Sequence, residues 1–489
     1  MNRRQFLIGS ASFGAAISGL AHAQGVPRPL PIIPLTDLME EPGGRYALRL
    51  GASQHDFGTG ALSNTLGINA DYLGPVVRVK QGQTFAVDVV NTLDEVTTIH
   101  WHGLHIPGEV DGGPHQEIEP GATWSPDVPI GQNASMNWFH SHMHGRTAQQ
   151  THDGLAGILL VEDDSSLSAD FPKTYGVDDF TLVLQDKAFD GAGRMTYTLT
   201  GEVFEDGHQG ETLIVNGTLA PVAQAVPSGL VRLRILNACN ARFLTLSMET
   251  GPLNVIACEG GFLSSTVETE TIFMSPGERY EVLVDMQAFE TNSLMVGFGE
   301  GEGLFGFLGG LLGNGPQTAL TLSSTGEAGF TGSMPNALAS LPPPDPSQAT
   351  VTRDFELQMD IGADLAALAI AWDNFCGNAG AMAINGMPMN MDRIDEEVTK
   401  GDTEIWRISV DDMLHPFHIH GCSFRILTQN GAEPPAYAAG WKDMVHVEEG
   451  WSEVLVRFDY DAPVDAPYMY HCHILEHEDC GMMGQFTVT

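Results

Sequence analysis

Basic residues are scarce in this chain. Its 489 residues include 22 Lys and Arg against 62 Asp and Glu, a formal net charge of −40 at pH 7 with His neutral. A surface of that sign repels nucleic acid and anionic membranes and attracts cations. The acidic residues are spread rather than gathered in one run, the pattern of a solubility adaptation. Long heptad-like stretches are absent as well. The apolar run near the N-terminus is too short, and too broken by Gly and Ser, to be a stable transmembrane anchor. The glycine-rich segment 297–315, with Leu304-Phe-Gly-Phe-Leu308 inside it, lacks the Gly-Lys-Ser/Thr ending of a phosphate-binding loop and reads as a flexible apolar loop.

Histidine and one cysteine carry the chemistry. The chain contains His471-Cys472-His473-Ile-Leu-Glu-His477-Glu-Asp-Cys-Gly-Met482 near its C-terminus. A thiolate, an imidazole and a distant thioether are the donor types of a blue-copper electron-transfer centre. On an extended strand neighbouring side chains face opposite sides, so Cys472 points one way and His471 and His473 the other. One short strand then serves two metal centres joined by its own backbone, which is wiring for redox catalysis. Three further motifs are His100-Trp-His102-Gly, His140-Ser-His142 and His415-Pro-Phe-His418-Ile-His420-Gly, so ten of the 18 histidines fall in four clusters. A His-x-His on a strand puts both imidazoles on one face, where two residues reach one metal cluster.

The four motifs resemble, in order and form, those of the multicopper oxidases, and the likeness covers essentially the whole mature chain. The HCHxxxHxxxxM ending is similar to that of the bacterial periplasmic branch that includes cuprous oxidases and laccases. The resemblance implies four coppers per chain. It assigns the type 1 copper to His415, Cys472 and His477 with Met482 axial, and the type 2 copper to His100 and His418. It gives the type 3 pair His102, His140, His142, His420, His471 and His473. His144 is not carried over as a ligand. Asp111 and Glu478 match positions the family uses near the cluster, where a carboxylate relays the protons needed to reduce O2 to water. With Cys472 a ligand, five cysteines remain, an odd number, so not all can pair internally. Pairing of Cys239 with Cys258, or of Cys376 with Cys422, stays open, and Cys480 reads as a buried thiol in the copper loop.

The first 23 residues read as a Tat export signal: Arg3-Arg4 precede an apolar run and Ala21-His22-Ala23. The Tat machinery would then deliver a protein with no membrane contact after cleavage to a bacterial periplasm, and its net charge would be −42 without those two arginines. Alternating apolar and polar residues predict strands at Val76 to Val90, Leu230 to Leu236, Tyr280 to Val284 and Glu453 to Phe458. The expected class is all-β, and the resemblance makes it three consecutive cupredoxin-like Greek-key β-sandwich domains. Residues 28–163 form the first, ending in the strand-like Gly157 to Val161. Residues 175–325 form a spacer whose one histidine is His208, and 351–489 form the third. A stiff linker, 326–350, contains Pro342-Pro-Pro-Asp-Pro346. The metal motifs of the outer blocks repeat in one order, 38 or 51 residues apart, as in a duplicated domain whose copies face each other across a three-copper cluster. A monomer is expected.

The substrate divides the reading. In the cuprous-oxidase branch, residues matching Met359, Asp364, Asp411 and Met413 bind a substrate copper ion beside the type 1 centre. Thioether sulfur suits Cu(I), and carboxylates favour Cu(II). The long Met- and His-rich insert of that branch is missing. In its place residues 364–391 hold only Met382, Met387, Met389 and Met391, either core methionines or one face of a strand. A missing lid predicts a type 1 centre more open to phenols. Oxidation of Cu(I) and of phenols are therefore expected together, with copper detoxification as the leading physiological role and laccase activity as the alternative. Some proteins of this architecture are non-enzymatic and serve cell-envelope assembly, resembling multicopper oxidases that have lost their ligands; the complete donor set argues against that role.

Overall fold

The computed structural model describes residues 28–40, 44–199, 201–299, 315–359, 382–410, 413–448 and 450–489. The expected export signal, Leu304 to Leu308, Asp364, Cys376 and Asp411 lie outside these residues.

Side-chain periodicity dictates the strands. Along Thr403–Val410, buried Glu404, Trp406 and Ile408 alternate with less buried neighbours, as expected of a strand covered on one face. Leu230–Asn237 is buried at every position because it lies inside an eight-stranded sheet, between Asp179–Phe189 and Arg279–Asp285. The expected strand at 76–90 is two strands, Val76–Lys80 and Thr84–Asn91. Gly82, with φ of 87°, makes the turn between them. The other three predicted strands are present, with bounds of Leu230–Asn237, Arg279–Asp285 and Trp451–Arg457.

Six sheets stack as three consecutive two-sheet sandwiches, the cupredoxin-like all-β architecture. Each sandwich has its own apolar core. Leu48, Val77, Val89 and Trp101 belong to the first, Leu182, Leu233, Leu246 and Val282 to the second, and Phe355, Trp406, Phe417 and Cys472 to the third. Full burial of one such aliphatic or aromatic side chain stabilises the fold by about 1.5–3 kcal/mol. Ile158 and Leu160 of the first sandwich meet Val183, Ile214 and Leu236 of the second in a further cluster, which joins the two. Strand Gln317–Ala328 runs into the expected linker. Beyond it the chain is held to the second sandwich, with Leu338 and Ala339 N–H groups donating to Ser264 and Leu263 carbonyls. Among the described residues no helix is long and apolar enough to cross a membrane.

Candidate metal centres

The strand Tyr468–Cys472 pairs with His415–Ile419, and this pairing sets His471 opposite His418 and Cys472 opposite Phe417. After the strand, the short helix Leu475–Asp479 returns His477 toward Cys472. Nδ1 of His415 lies 3.3 Å from the Cys472 Sγ, Nδ1 of His477 lies 3.8 Å from it, and the two nitrogens are 3.4 Å apart. These are the edges of a triangle whose corners each stand about 2 Å from its centre, the reach of a metal bond to nitrogen or sulfur. Nε2 of His477 donates to the Glu205 carbonyl at 3.1 Å, which leaves Nδ1 as the bare acceptor facing sulfur. The backbone closes the loop: Met482 N–H donates to the His477 carbonyl and Cys472 N–H to the Met482 carbonyl. Met482 is fully buried in the same core as Cys472. Burial pushes the Cys472 thiol well up, with the Ile474 N–H opposing and Glu478 and Glu476 adding to the rise. A thiolate here therefore requires a bound cation.

Behind this triangle eight fully or almost fully buried histidines converge from the first and third sandwiches. His142, His420 and His471 present Nε2 atoms 3.2 to 3.3 Å from one another. An edge of 3.3 Å divided by √3 puts each about 1.9 Å from the common centre, close to the roughly 2.0–2.1 Å of a metal–imidazole bond. His102, His140 and His473 form a second such group, and His100, His418 and His420 a third. Hydrogen bonds on the outer nitrogens fix which atom is bare. His420 Nδ1 lies 2.8 Å from Asp111 Oδ2, and His471, His140, His418 and His100 Nδ1 lie 2.8 to 3.0 Å from carbonyls of Cys472, Ser141, Asp443 and Asp111. With the proton on Nδ1, each Nε2 aims a lone pair inward. Burial first, and then mutual repulsion, drives the His142, His418 and His420 pKa values well below the ordinary range, and burial lowers that of His471 to about 3. Converging lone pairs without protons repel one another, and a cation at their centre reverses the sign of that interaction.

Two carboxylates flank the cluster. Asp111 touches His100 and His420, and its position depends on Gly112, whose φ of 81° and contact with the Ile99 carbonyl leave no room for a side chain. Glu478 stands 3.3 Å from His142 Nδ1 and 3.2 Å from His471 Nδ1, although neither pair is aligned as a hydrogen bond. Burial raises the Glu478 pKa well above the carboxylate range, and Asp479 adds to the rise.

Several expectations change. The middle sandwich is more than a spacer: its Arg279 reaches Asp443 beside the cluster, and its Glu259, Glu278 and Tyr280 surround buried Lys442 of the third sandwich. The type 1 donors are not open, since His415 and His477 are fully buried and helix Gly201–Asp206 of the middle sandwich brings Glu205 and Phe204 over His477. Cys480 is disulfide-bonded rather than a thiol, and Cys239, Cys258, Cys422 and Cys472 are free, so neither pairing left open by the sequence forms. The Met387-x-Met389-x-Met391 run is a loop, not a strand, and Met389 N–H donates to the Gly481 carbonyl behind the copper loop. Met359 and Met413 both join the third core, one buried and one half-buried; their two proposed carboxylate partners lie outside the described residues. His144 is half-buried, and burial lowers its pKa. Sequence reasoning missed Arg279 and Asp443, which lie 164 positions apart, so no local spacing or periodicity signals their contact.

A buried Cys/His triangle, joined through one strand to a histidine cluster between two cupredoxin-like sandwiches, has the donor chemistry of a copper oxidase. The chain belongs to the multicopper oxidases: family models described as multicopper oxidase match residues 50–166, 161–301 and 343–489. It is 35% identical over 491 residues to the cell division protein FtsP of Escherichia coli strain K12, covering 100% of this chain and 99% of the relative. It is 33% identical over 450 residues to the multicopper oxidase mco of Staphylococcus aureus, covering 91% of this chain and 88% of that one. Among solved structures, a bacterial laccase-like multicopper oxidase CueO from Ochrobactrum sp. superimposes with a TM-score of 0.86 at 40% identity, covering 94% of this chain and all of that one.

Proposed function

We propose that this protein is a four-copper oxidase that takes single electrons from Cu(I) or phenolic donors and reduces O2 to water. The proposed type 1 ligands are His415, Cys472 and His477, with Met482 axial; the proposed type 2 ligands are His100 and His418. His102, His140, His142, His420, His471 and His473 are the proposed type 3 ligands. The observation that carries this reading is the convergence of three imidazole nitrogens at 3.2 to 3.3 Å, with the opposite nitrogens of His420 and His471 committed to oxygen acceptors. When bound, copper supplies one-electron oxidation at the cysteine centre and four-electron reduction of O2 at the cluster.

The chain's own residues do the rest. Cys472 and its neighbours His471 and His473 join the two centres through two peptide units, the shortest covalent route between them. Buried Glu478 holds a proton between His142 and His471, and Asp111 fixes the rings of His100 and His420; both are proposed to hand protons to oxygen. Helix Gly201–Asp206 keeps water from the His477 edge. Copper tolerance in a periplasm reached by Tat export is the physiological role we favour, with the protein acting as a monomer.

Two other readings have specific support. The 40% identity to a CueO with oxidase activity towards lignin model compounds favours phenols as the main donors. The 35% identity to FtsP favours a role in cell division without turnover. Oxygen uptake by the copper-loaded protein, with chelated Cu(I) and with 2,6-dimethoxyphenol and repeated for Met413→Ala, separates the three. A Cu(I) reaction that collapses in the variant identifies a cuprous oxidase. Rapid phenol turnover without added copper, indifferent to the substitution, identifies a laccase. A protein that binds no copper and consumes no oxygen would sink the oxidase reading and leave the cell-division one.

A further inference from the structure

His102 is turned the opposite way from its neighbours. Five cluster imidazoles commit Nδ1 to an oxygen and aim Nε2 inward. In His102 the Nε2 faces Asp443 Oδ1 at 3.2 Å, and it is Nδ1 that approaches His140 Nε2, at 3.4 Å. A neutral imidazole carries one N–H, so a carboxylate at Nε2 selects the tautomer whose bare nitrogen is Nδ1. The same residue orients a second ring, because His418 Nδ1 donates to the Asp443 carbonyl at 2.8 Å. His102 and His418 stack with centroids 3.7 Å apart and planes 9° from parallel, so tilting one displaces the other.

Asp443 is fully buried, and a carboxylate there needs a partner that fixes both charge and direction. Arg279 supplies both. Its Nη1 and Nη2 reach the two Asp443 oxygens at 2.6 and 2.7 Å. Its Nε donates to the Met136 carbonyl at 2.9 Å and its Nη1 to the Gly277 carbonyl at 3.1 Å, so the guanidinium is held on three sides. Gly103, directly after His102, leaves the space this fork occupies: a Cβ there would stand 2.5 Å from Arg279 Nη2 and 2.7 Å from Asp443 Oδ2.

We infer that Arg279, from the middle sandwich, is a positioning residue for the metal cluster, aiming Asp443 so that His102 binds through Nδ1. This rests on the proposed copper cluster. It adds that the middle sandwich, which supplies no ligand to that cluster, sets the geometry of one side of it. Lysine keeps the charge but loses the planar fork.

The test compares copper-loaded wild type with Arg279→Lys and Arg279→Gln by copper per chain, blue colour, electron paramagnetic resonance and oxygen uptake. Both variants are expected to keep the blue type 1 signal, since no type 1 donor touches Arg279. Each should lose the magnetic pairing of the type 3 site or about one cluster copper per chain. Oxygen uptake should fall about 10- to 100-fold, with lysine intermediate. Arg279→Lys keeps the buried ion pair and so remains informative should the glutamine variant fail to fold. Arg279→Lys with wild-type copper content, resonance spectrum and uptake would overturn the inference. So would equal loss of type 1 and cluster signals, which marks general loosening rather than positioning. A wild type without cluster copper would instead overturn the function on which the inference rests.

Discussion

Asp153 lines a cleft of about 450 Å3 together with Gln149, Arg194 and Tyr197. Burial lifts its pKa to about 6, against the opposing pull of Lys187, a hydrogen bond from Gln149 and the charge of Arg146, with Glu95 adding to the rise. Between about pH 4 and 6 the unfolded chain releases a proton that the folded one retains, so this group makes stability fall as pH rises through that window. Above pH 6 the loss is complete. Asp153→Asn keeps an acceptor for the His152 Nδ1, 3.1 Å away, and removes the titration. The variant should be more stable than wild type at pH 7 by on the order of 2 kcal/mol, and no more stable below pH 4. Parallel thermal melts at the two pH values check this, and an equal difference at both would contradict it. At this scale the proposed donors were legible because ligand chemistry restricts residue type: only His, Cys and Met serve, and their spacing survives as short motifs. Arg279 and Asp443 were not, because an ion pair between distant strands leaves no mark in either local sequence.

Helix Gly201–Asp206 is the element that most changes the functional picture. It is six residues long and follows a strand edge in the middle sandwich, so it carries no amphipathic period that sequence reading could catch. Its Phe204 is 2% exposed and joins the core of the third sandwich. Phe204→Ala should destabilise the protein by about 3–5 kcal/mol through the cavity it leaves. It should also open the His477 edge, raising kcat/KM for 2,6-dimethoxyphenol relative to chelated Cu(I). Steady-state rates for both donors, taken with a denaturant midpoint, provide the check; a uniform fall in both rates would mean that the helix does not gate access. The strands were easier to read. Leu230–Asn237 and Trp451–Arg457 follow from apolar patterning, whereas the alternation on both sides of the polar Lys80-Gln-Gly-Gln-Thr84 stretch ran across the break at Gly82.

Across the whole molecule, the three sandwiches are bound by buried charge as well as by apolar contact. Lys442 is fully buried, donates to Glu259 at 2.6 Å and to Tyr280 at 3.0 Å, and pairs with Glu278. Lys442→Met would leave two carboxylates of the middle sandwich uncompensated against the third. A loss of about 3–5 kcal/mol is expected, with cooperative unfolding giving way to separate transitions. Calorimetry decides the point: one sharp, unshifted transition would show that the pair contributes little. The all-β class was legible in the apolar–polar alternation and the three sandwiches in the family resemblance, while the repeated order of the metal motifs pointed to the facing of the outer blocks. The middle block disclosed only strands, since it contributes charged partners rather than donors.

The proposed donors run from His100 to Met482, so those of the first sandwich are synthesised long before those of the third. The residues of two sandwiches, with His100, His102, His140 and His142 among them, are synthesised before His415. A chain released before His477 would lack one corner of the Cys/His triangle and could not form the proposed blue centre. Blue colour, if the proposed centre forms, would therefore report that translation reached at least that residue, a check on length that the fold makes without any separate inspector.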